Sequence, residues 1–230
     1  MSGHALIETP TPEGFIPHKV AHHYETHNQE FQSCKLVFWL FLATEIMLFG
    51  GLFGAYFVYN AMYPETFVAG GSQLNRELGA LNTVVLLLSS FTMAMGVRYA
   101  MLSDKTKMMR YLTLTVLGAV IFLVVKYFEY SAKFEHGLAP GVFFHPHGDY
   151  AAIFAGLEWP NLFFSFYFTM TGIHGFHVLV GIILILWIMK RGAKGYYHSG
   201  HYIPVELVGL YWHLVDLIWI FLFPLLYLVP

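Results

Sequence analysis

Charged residues are scarce in this sequence. Asp, Glu, Lys and Arg make up 11% of its 230 residues, which is less than half of the roughly 25% found in an average soluble domain. Hydrophobic residues make up 57% and the mean hydropathy is +0.57. This composition excludes a disordered chain and an ordinary water-soluble enzyme, and it predicts an integral membrane protein.

Cysteine and excess positive charge are also scarce, and each shortage excludes a class of function. The sequence contains one cysteine, Cys34, which excludes an internal disulfide framework and any multi-cysteine metal site. The net charge is −2 and no basic stripe is present that would neutralise phosphates. We therefore expect no nucleic-acid partner.

Five runs of mainly apolar residues are each long enough to cross a bilayer, which takes about 20 residues in a helix. They are residues 36–60, 78–102, 111–132, 161–190 and 204–228. None alternates with a period of two, so a β-barrel is not favoured. Helices are the other spanning element that satisfies its own backbone. The sequence predicts an all-α, polytopic bundle of five transmembrane helices over residues 36–230, after a His-rich cytoplasmic segment, residues 1–35.

Basic residues are distributed unevenly between the two sides of the predicted bundle. If the loops alternate, Arg76 and Lys133 fall on one side. The other side collects nine basic residues, which are Lys19, Lys35, Arg98, Lys105, Lys107, Arg110, Lys190, Arg191 and Lys194. Because short cytoplasmic loops carry an excess of Lys and Arg, the N-terminus is predicted inside and the C-terminus outside.

One acidic residue falls deep within the first predicted helix. At a rise of 1.5 Å per residue, Glu45 lies roughly 14 Å from the start of that helix, close to the bilayer midplane. A charge at that depth costs roughly 2.5–3.5 kcal/mol on insertion scales, so we expect a neutral or proton-exchanging carboxyl. A proton-linked role and a hydrogen bond to a neighbouring helix both need this acid, and both remain open.

Other ionisable residues inside the predicted spans occur in pairs three residues apart. They are Lys126 with Glu129, His174 with His177, and His213 with Asp216. Residues at this spacing share one face of a helix. The first pair is interpreted as an intrahelical ion pair in preference to a transport relay. The other four could bind a metal, but we prefer hydrogen bonds between helices.

Small residues predict close helix packing at two places. Gly50 and Gly54 form a small-xxx-small face on the first helix, which suggests contact with another helix or another protein. Gly172 and Gly175 would let a neighbouring helix approach the fourth predicted helix in the same way. We predict all four as helix-packing positions.

Histidines are also frequent outside the predicted spans. His22, His23 and His27 lie in the segment HHYETH, and His145 and His147 flank a proline in the longest loop. Both groups could bind a surface metal or buffer protons near neutral pH. Solvated loop histidines are the preferred interpretation.

Taken together, four segments resemble the cytochrome c oxidase subunit III family of the haem–copper terminal oxidases, in its five-helix bacterial form. They are FWLFLATEIMLFGGLFGAYF, LNTVVLLLSSFTMAMG, FYFTMTGIHGFHVLVG and VELVGLYWHLVDLIWIFLF. The sequence differs from the family pattern at Lys126, where the family usually has Gln, and it lacks the two additional N-terminal helices of the mitochondrial form.

The resemblance implies an accessory subunit with no redox centre and no catalytic site of its own. Haem and copper would belong to partner subunits, in a complex that reduces oxygen to water and translocates protons across a bacterial inner membrane. The implied partners are catalytic subunit I, subunit II, membrane lipids including bound phospholipid, and a larger respiratory supercomplex. Glu45 matches the family's buried carboxylate, and Trp39 and Arg98 are candidate lipid contacts. We expect the first and third predicted helices to face the catalytic subunit.

Three alternatives compete with this interpretation. Within the family, the chain could serve a quinol oxidase or accompany a nitric oxide reductase. From another class, it could be a stand-alone proton-coupled transporter that uses its intramembrane acids as a relay. The sequence shows no inverted repeat and no pair of interrupted helices, which weighs against a transporter.

Overall fold

The computed structural model describes residues 11–16 and 27–228, which form seven α-helices. These are α1 (His27–Met62), α2 (Pro64–Ser72), α3 (Arg76–Met101), α4 (Lys105–Glu135), α5 (Asp149–Phe154), α6 (Leu162–Gly192) and α7 (Ile203–Phe223). A 3₁₀ turn, Gly141–Phe143, lies in the longest loop, and a π-helical turn, Pro224–Leu228, follows α7. No β-strand occurs among the described residues, so the predicted all-α class is confirmed. His22 and His23 lie outside the described residues.

Five of the helices are long and apolar enough to cross a membrane, as predicted. They are α1, α3, α4, α6 and α7, the last together with the π-helical turn. The helices extend furthest beyond the predicted runs at α1, which is described from His27, and at α4, which begins at Lys105. Both extensions are polar turns that continue the backbone hydrogen bonds beyond the apolar run. Hydropathy detects the apolar run and not the helix, so these turns were missed.

A short connection of three residues, 102–104, joins the end of α3 to the start of α4. Leu102 closes α3, and the Asp104 carboxylate caps α4 by accepting a hydrogen bond from Lys107 N at 3.0 Å. That backbone hydrogen bond lowers the pKa of Asp104, because it stabilises the ionised form. The tight turn makes α3 and α4 an antiparallel pair that packs along its whole length.

Within the bundle, α7 is the central helix. It packs against α3 and α6, while α4 packs against α3 and α6 on the far side. Half of the α7 span is buried inside the chain, compared with 11% of the α1 span. Helix α1 therefore lies at the edge, held by α7 with smaller contacts to α2 and α6.

Glycines mark the closest helix crossings. A Cβ at Gly181 would lie 2.6 Å from the Trp212 ring, and one at Gly209 would lie 2.9 Å from Val97. At the four predicted packing glycines, Gly50, Gly54, Gly172 and Gly175, no described atom lies within 4 Å of such a Cβ. The predicted approach of a neighbouring helix at Gly172 and Gly175 is therefore not made by the described chain. These residues lie on sides of α6 that turn away from Trp212.

This contrast gives a matched pair of variants on α6. Gly181→Ala places a methyl group against the Trp212 ring, which is fully buried and held by a hydrogen bond from Nε1 to Ser89 Oγ at 3.1 Å. We expect a loss of about 1–3 kcal/mol in stability, as in other overpacked cores. Gly172→Ala meets no atom and should raise stability slightly through helix propensity.

The measurement is the thermal unfolding of the purified membrane protein for both variants and the parent chain. A lower melting temperature for Gly181→Ala alone is the expected result. Equal melting temperatures for the two variants would show that Trp212 does not pack on α6 as described.

Buried polar groups as the candidate functional site

Helix α1 presents Glu45 to α6, where it meets His177. Glu45 Oε2 lies 2.8 Å from His177 Nε2, and the two side chains are 15% and 13% exposed. The Phe49 ring packs edge-on against the imidazole at 5.6 Å. Tyr211 of α7 donates its hydroxyl proton to the His177 carbonyl at 3.0 Å. The contact therefore connects the edge helix α1 to both α6 and α7.

The second nitrogen of His177 is used within its own helix. His177 Nδ1 lies 2.8 Å from the carbonyl oxygen of Ile173, one turn earlier on α6. A carbonyl only accepts hydrogen bonds, so Nδ1 carries a proton and Nε2 is the nitrogen that faces Glu45. Glu45 Oε2 lies 2.8 Å from Nε2 but outside hydrogen-bond geometry. The structure therefore shows a close approach of the carboxyl and the imidazole.

Lys126 and Glu129 of α4 form the expected ion pair. Lys126 Nζ lies 2.9 Å from Glu129 Oε2, and both side chains are buried. The ammonium also donates to the hydroxyls of Tyr167 on α6 at 3.0 Å and Tyr227 of the π-helical turn at 2.9 Å. Tyr227 in turn donates to Glu129 Oε1 at 2.7 Å. All three protons of the ammonium are therefore used, and sequence reasoning identified neither tyrosine.

Aromatic rings enclose the same ammonium. Four ring centroids lie between 4.9 and 5.6 Å from Lys126 Nζ, those of Tyr130, Tyr167, Trp219 and Tyr227. A desolvated cation over an aromatic face gains about 2 kcal/mol or more. Trp219 also donates its indole proton to Thr83 Oγ1 of α3 at 3.0 Å. This Lys126 cluster, with Glu129 and the four rings, ties α4, α6, α7 and the π-helical turn together.

His174 does not behave as predicted. It is fully buried, with its ring against Phe122 at 5.4 Å and Trp219 at 5.2 Å. Neither ring nitrogen hydrogen-bonds to a described residue. The expected hydrogen bond between helices is therefore not made here, because the neighbouring groups on α4 and α7 are aromatic carbons.

His213 and Asp216 do not bond to each other despite their spacing. His213 Nδ1 lies 2.7 Å from Ser90 Oγ on α3, so this imidazole does connect two helices. Neither carboxyl oxygen of Asp216 hydrogen-bonds to a described residue, although the Ser90 hydroxyl faces it. Ser90, which sequence reasoning did not single out, thus joins Ser89 and Thr83 as α3 hydroxyls that hydrogen-bond to α7.

The remaining predicted positions concern metal binding and exposed residues. Within residues 11–16 and 27–228, no three His, Cys, Asp or Glu side chains are placed to hold a metal ion. Trp39 is 59% exposed, and Arg98 is exposed as well. His145 and His147 are exposed in the longest loop.

The sequence of this chain is similar to those of proteins from one family. Residues 19–157 and 158–229 match the sequence profile of the family described as cytochrome c oxidase subunit III. A protein named cytochrome c oxidase subunit 3 from Synechocystis sp. is 34% identical over 191 residues, 83% of this chain and 73% of that protein. A protein of the same name from Thermostichus vulcanus is 31% identical, over 83% and 84% of the two chains. A probable subunit 3 from Nocardia farcinica is 28% identical, over 95% and 97%.

The Lys126 cluster predicts a strongly coupled pair of substitutions. Lys126→Leu leaves the Glu129 carboxylate buried without its cation, and we expect a loss of about 3–5 kcal/mol in stability. Lys126→Leu combined with Glu129→Leu removes both charges, so the double variant should be more stable than the single one. Thermal unfolding of the purified protein measures both. A double variant less stable than Lys126→Leu would contradict a buried ion pair.

Proposed function

The chain belongs to the cytochrome c oxidase subunit III family, and we propose that, as subunit III of a haem–copper oxidase, it stabilises the catalytic subunit and supports proton uptake during turnover. The Glu45–His177 contact is the observation that carries this proposal. Oxygen would be reduced at haem and copper in subunit I, with subunit II as the second partner. The names of the relatives favour a cytochrome c oxidase over the quinol oxidase and nitric oxide reductase alternatives.

The intramembrane histidines support the placement of the redox groups in partner subunits. A haem iron or a copper ion binds a ring nitrogen that is free to face it. His177 uses Nδ1 for Ile173 and turns Nε2 to Glu45, and the His174 ring is enclosed by aromatic carbons. His213 keeps Nε2 open, but among the described residues it belongs to no group of three metal-ligating side chains.

In this proposal the Glu45–His177 contact is a neutral, proton-holding tie. Its proton can sit on the carboxyl or on the imidazole without changing the net charge of the pair. Helix α1 is the least buried of the spanning helices. Beside this tie it is held by the buried rings of Phe49 and Tyr56 and by the hydrogen bond from Tyr56 to the Leu225 carbonyl. Both side chains of the Glu45–His177 contact are partly exposed, and acyl chains supply no proton, so exchange would take place with water or a proton donor held against this face by a partner subunit.

The charges at the helix ends support an orientation in the membrane. The bundle end formed by residues 102–104 and 193–202 carries Lys105, Lys107 and the basic end of α6, and we assign it to the cytoplasm by the excess of Lys and Arg. The end with α2 would face outward from a bacterial inner membrane. Residues 1–35 would then be cytoplasmic, and phospholipid would contact Trp39 and Arg98. Membership of a larger respiratory supercomplex belongs to the same proposal.

Glu45→Gln separates packing from proton exchange. The Gln amide can donate to His177 Nε2 as a neutral Glu45 does, so we expect the complex to assemble. The amide cannot release a proton, so proton uptake should slow and activity should be lost sooner during turnover. The measurement is proton translocation and the turnover lifetime of the purified oxidase in liposomes.

Glu206→Gln is the matched control. Glu206 is also a partly exposed carboxylate on a helix, paired with Lys35 at 3.2 Å near the end of the bundle. Its replacement should leave proton uptake unchanged. Parental proton uptake and lifetime in Glu45→Gln would leave Glu45 with a packing role alone.

A further inference from the structure

A strip of α7 remains uncovered although α7 is the most buried of the spanning helices. It consists of Leu210, His213, Leu217, Ile220 and Phe221, and we call it the α7 strip. Three of these residues are between 42% and 57% exposed, Leu217, Ile220 and Phe221. His213 is partly exposed in the middle of the strip.

Two neighbouring helices flank the strip. On one side α1 lies against α7, with the Phe41 ring stacked on Tyr211 at 6.1 Å. On the other side α3 contacts α7, through Ser90 Oγ and His213 Nδ1 at 2.7 Å. The strip is thus the face of α7 that is left open between α1 and α3, and we call the space in front of it the recess. Helix α4, which sequence reasoning placed on the partner-facing side together with α1, packs behind α3 and α6.

His213 places a polar atom in this recess. Ser90 occupies Nδ1, while Nε2 bonds to no described residue and is not enclosed by the described chain. His213 follows the start of α7 by ten residues, which is about 15 Å along the helix axis and near the middle of a bilayer. Acyl chains offer no hydrogen-bonding group there, so an unsatisfied nitrogen is costly.

From this arrangement we infer that the α7 strip seats a transmembrane helix of the haem-bearing oxidase subunit. That helix would bring a hydroxyl or amide side chain to mid-bilayer, where it bonds to His213 Nε2, and apolar side chains to Leu217, Ile220 and Phe221. A lipid tail would fill the recess but leave the nitrogen without a partner. The inference rests on the proposed function, because it requires that the chain work inside an oxidase complex.

The direct test is photo-crosslinking within the intact oxidase. A benzophenone amino acid is placed at Leu217 in the strip and, as a control, at Leu179 on α6. The two side chains are 49% and 50% exposed, and they lie at nearly the same distance from the end of the bundle formed by residues 102–104 and 193–202. The crosslinked products are identified by mass spectrometry.

We expect the Leu217 variant to crosslink to a haem-bearing subunit and the Leu179 variant to give lipid adducts. Lipid adducts alone at Leu217, or a crosslink to the haem-bearing subunit from Leu179 alone, would overturn the inference. A crosslink from Leu217 to a second copy of this chain would overturn it as well.

A pair of substitutions tests the role of His213. His213→Leu should weaken retention of the haem-bearing subunit about tenfold in a detergent wash, as expected for the loss of one hydrogen bond between membrane helices. Ser90→Ala removes the Nδ1 contact and keeps Nε2, so retention should stay close to that of the parent. Unchanged retention in both variants would contradict the role given to Nε2.

The outcomes also separate the inference from the proposed function. If the parent chain purifies with no haem-bearing subunit, both fail. If that subunit co-purifies but neither the Leu217 crosslink nor His213→Leu behaves as expected, the inference alone fails and the assignment as subunit III stands.

Discussion

The hydrocarbon of a membrane offers no hydrogen-bonding partner, and this constraint organises the whole bundle. A polar side chain inside a span is costly unless it finds a partner on another helix, on its own helix or on another protein. Lys126 meets this demand with three hydrogen bonds and four aromatic rings. The apolar residues fill the remaining space, but the polar contacts decide which helices face each other.

The spanning helices differ in how firmly polar contacts hold them, and this difference is relevant to the proposed function. The Lys126 cluster connects α4, α6, α7 and the π-helical turn. Helix α1 is the least buried of the spanning helices. Its polar contacts with other elements include the Glu45–His177 approach, the Lys35–Glu206 ion pair and the hydrogen bond from Tyr56 to the Leu225 carbonyl. Gly50 and Gly54 of the same helix turn away from the bundle. The contact to which we assign a proton-holding role thus belongs to the least buried spanning helix.

The sequence predicts those features of the structure that depend on local composition and spacing. The five spans follow from apolar runs, and the Lys126–Glu129 pair follows from its spacing on one helix. The partners across helices were out of reach. Tyr227 for Lys126, His177 for Glu45 and Ser90 for His213 depend on how each helix is rotated about its axis. Spanning helices are apolar on nearly every side, so their sequences carry little information on that rotation.

The central claim is that this chain works as a colourless accessory part of a haem-bearing complex. It is tested most directly by mild-detergent purification through a tag on the chain, followed by a reduced-minus-oxidised optical spectrum. The account predicts haem bands that co-purify with larger membrane subunits and disappear when the chain is stripped from them. A colourless protein that stays alone after gentle extraction and carries protons in liposomes would contradict the account and indicate a stand-alone transporter.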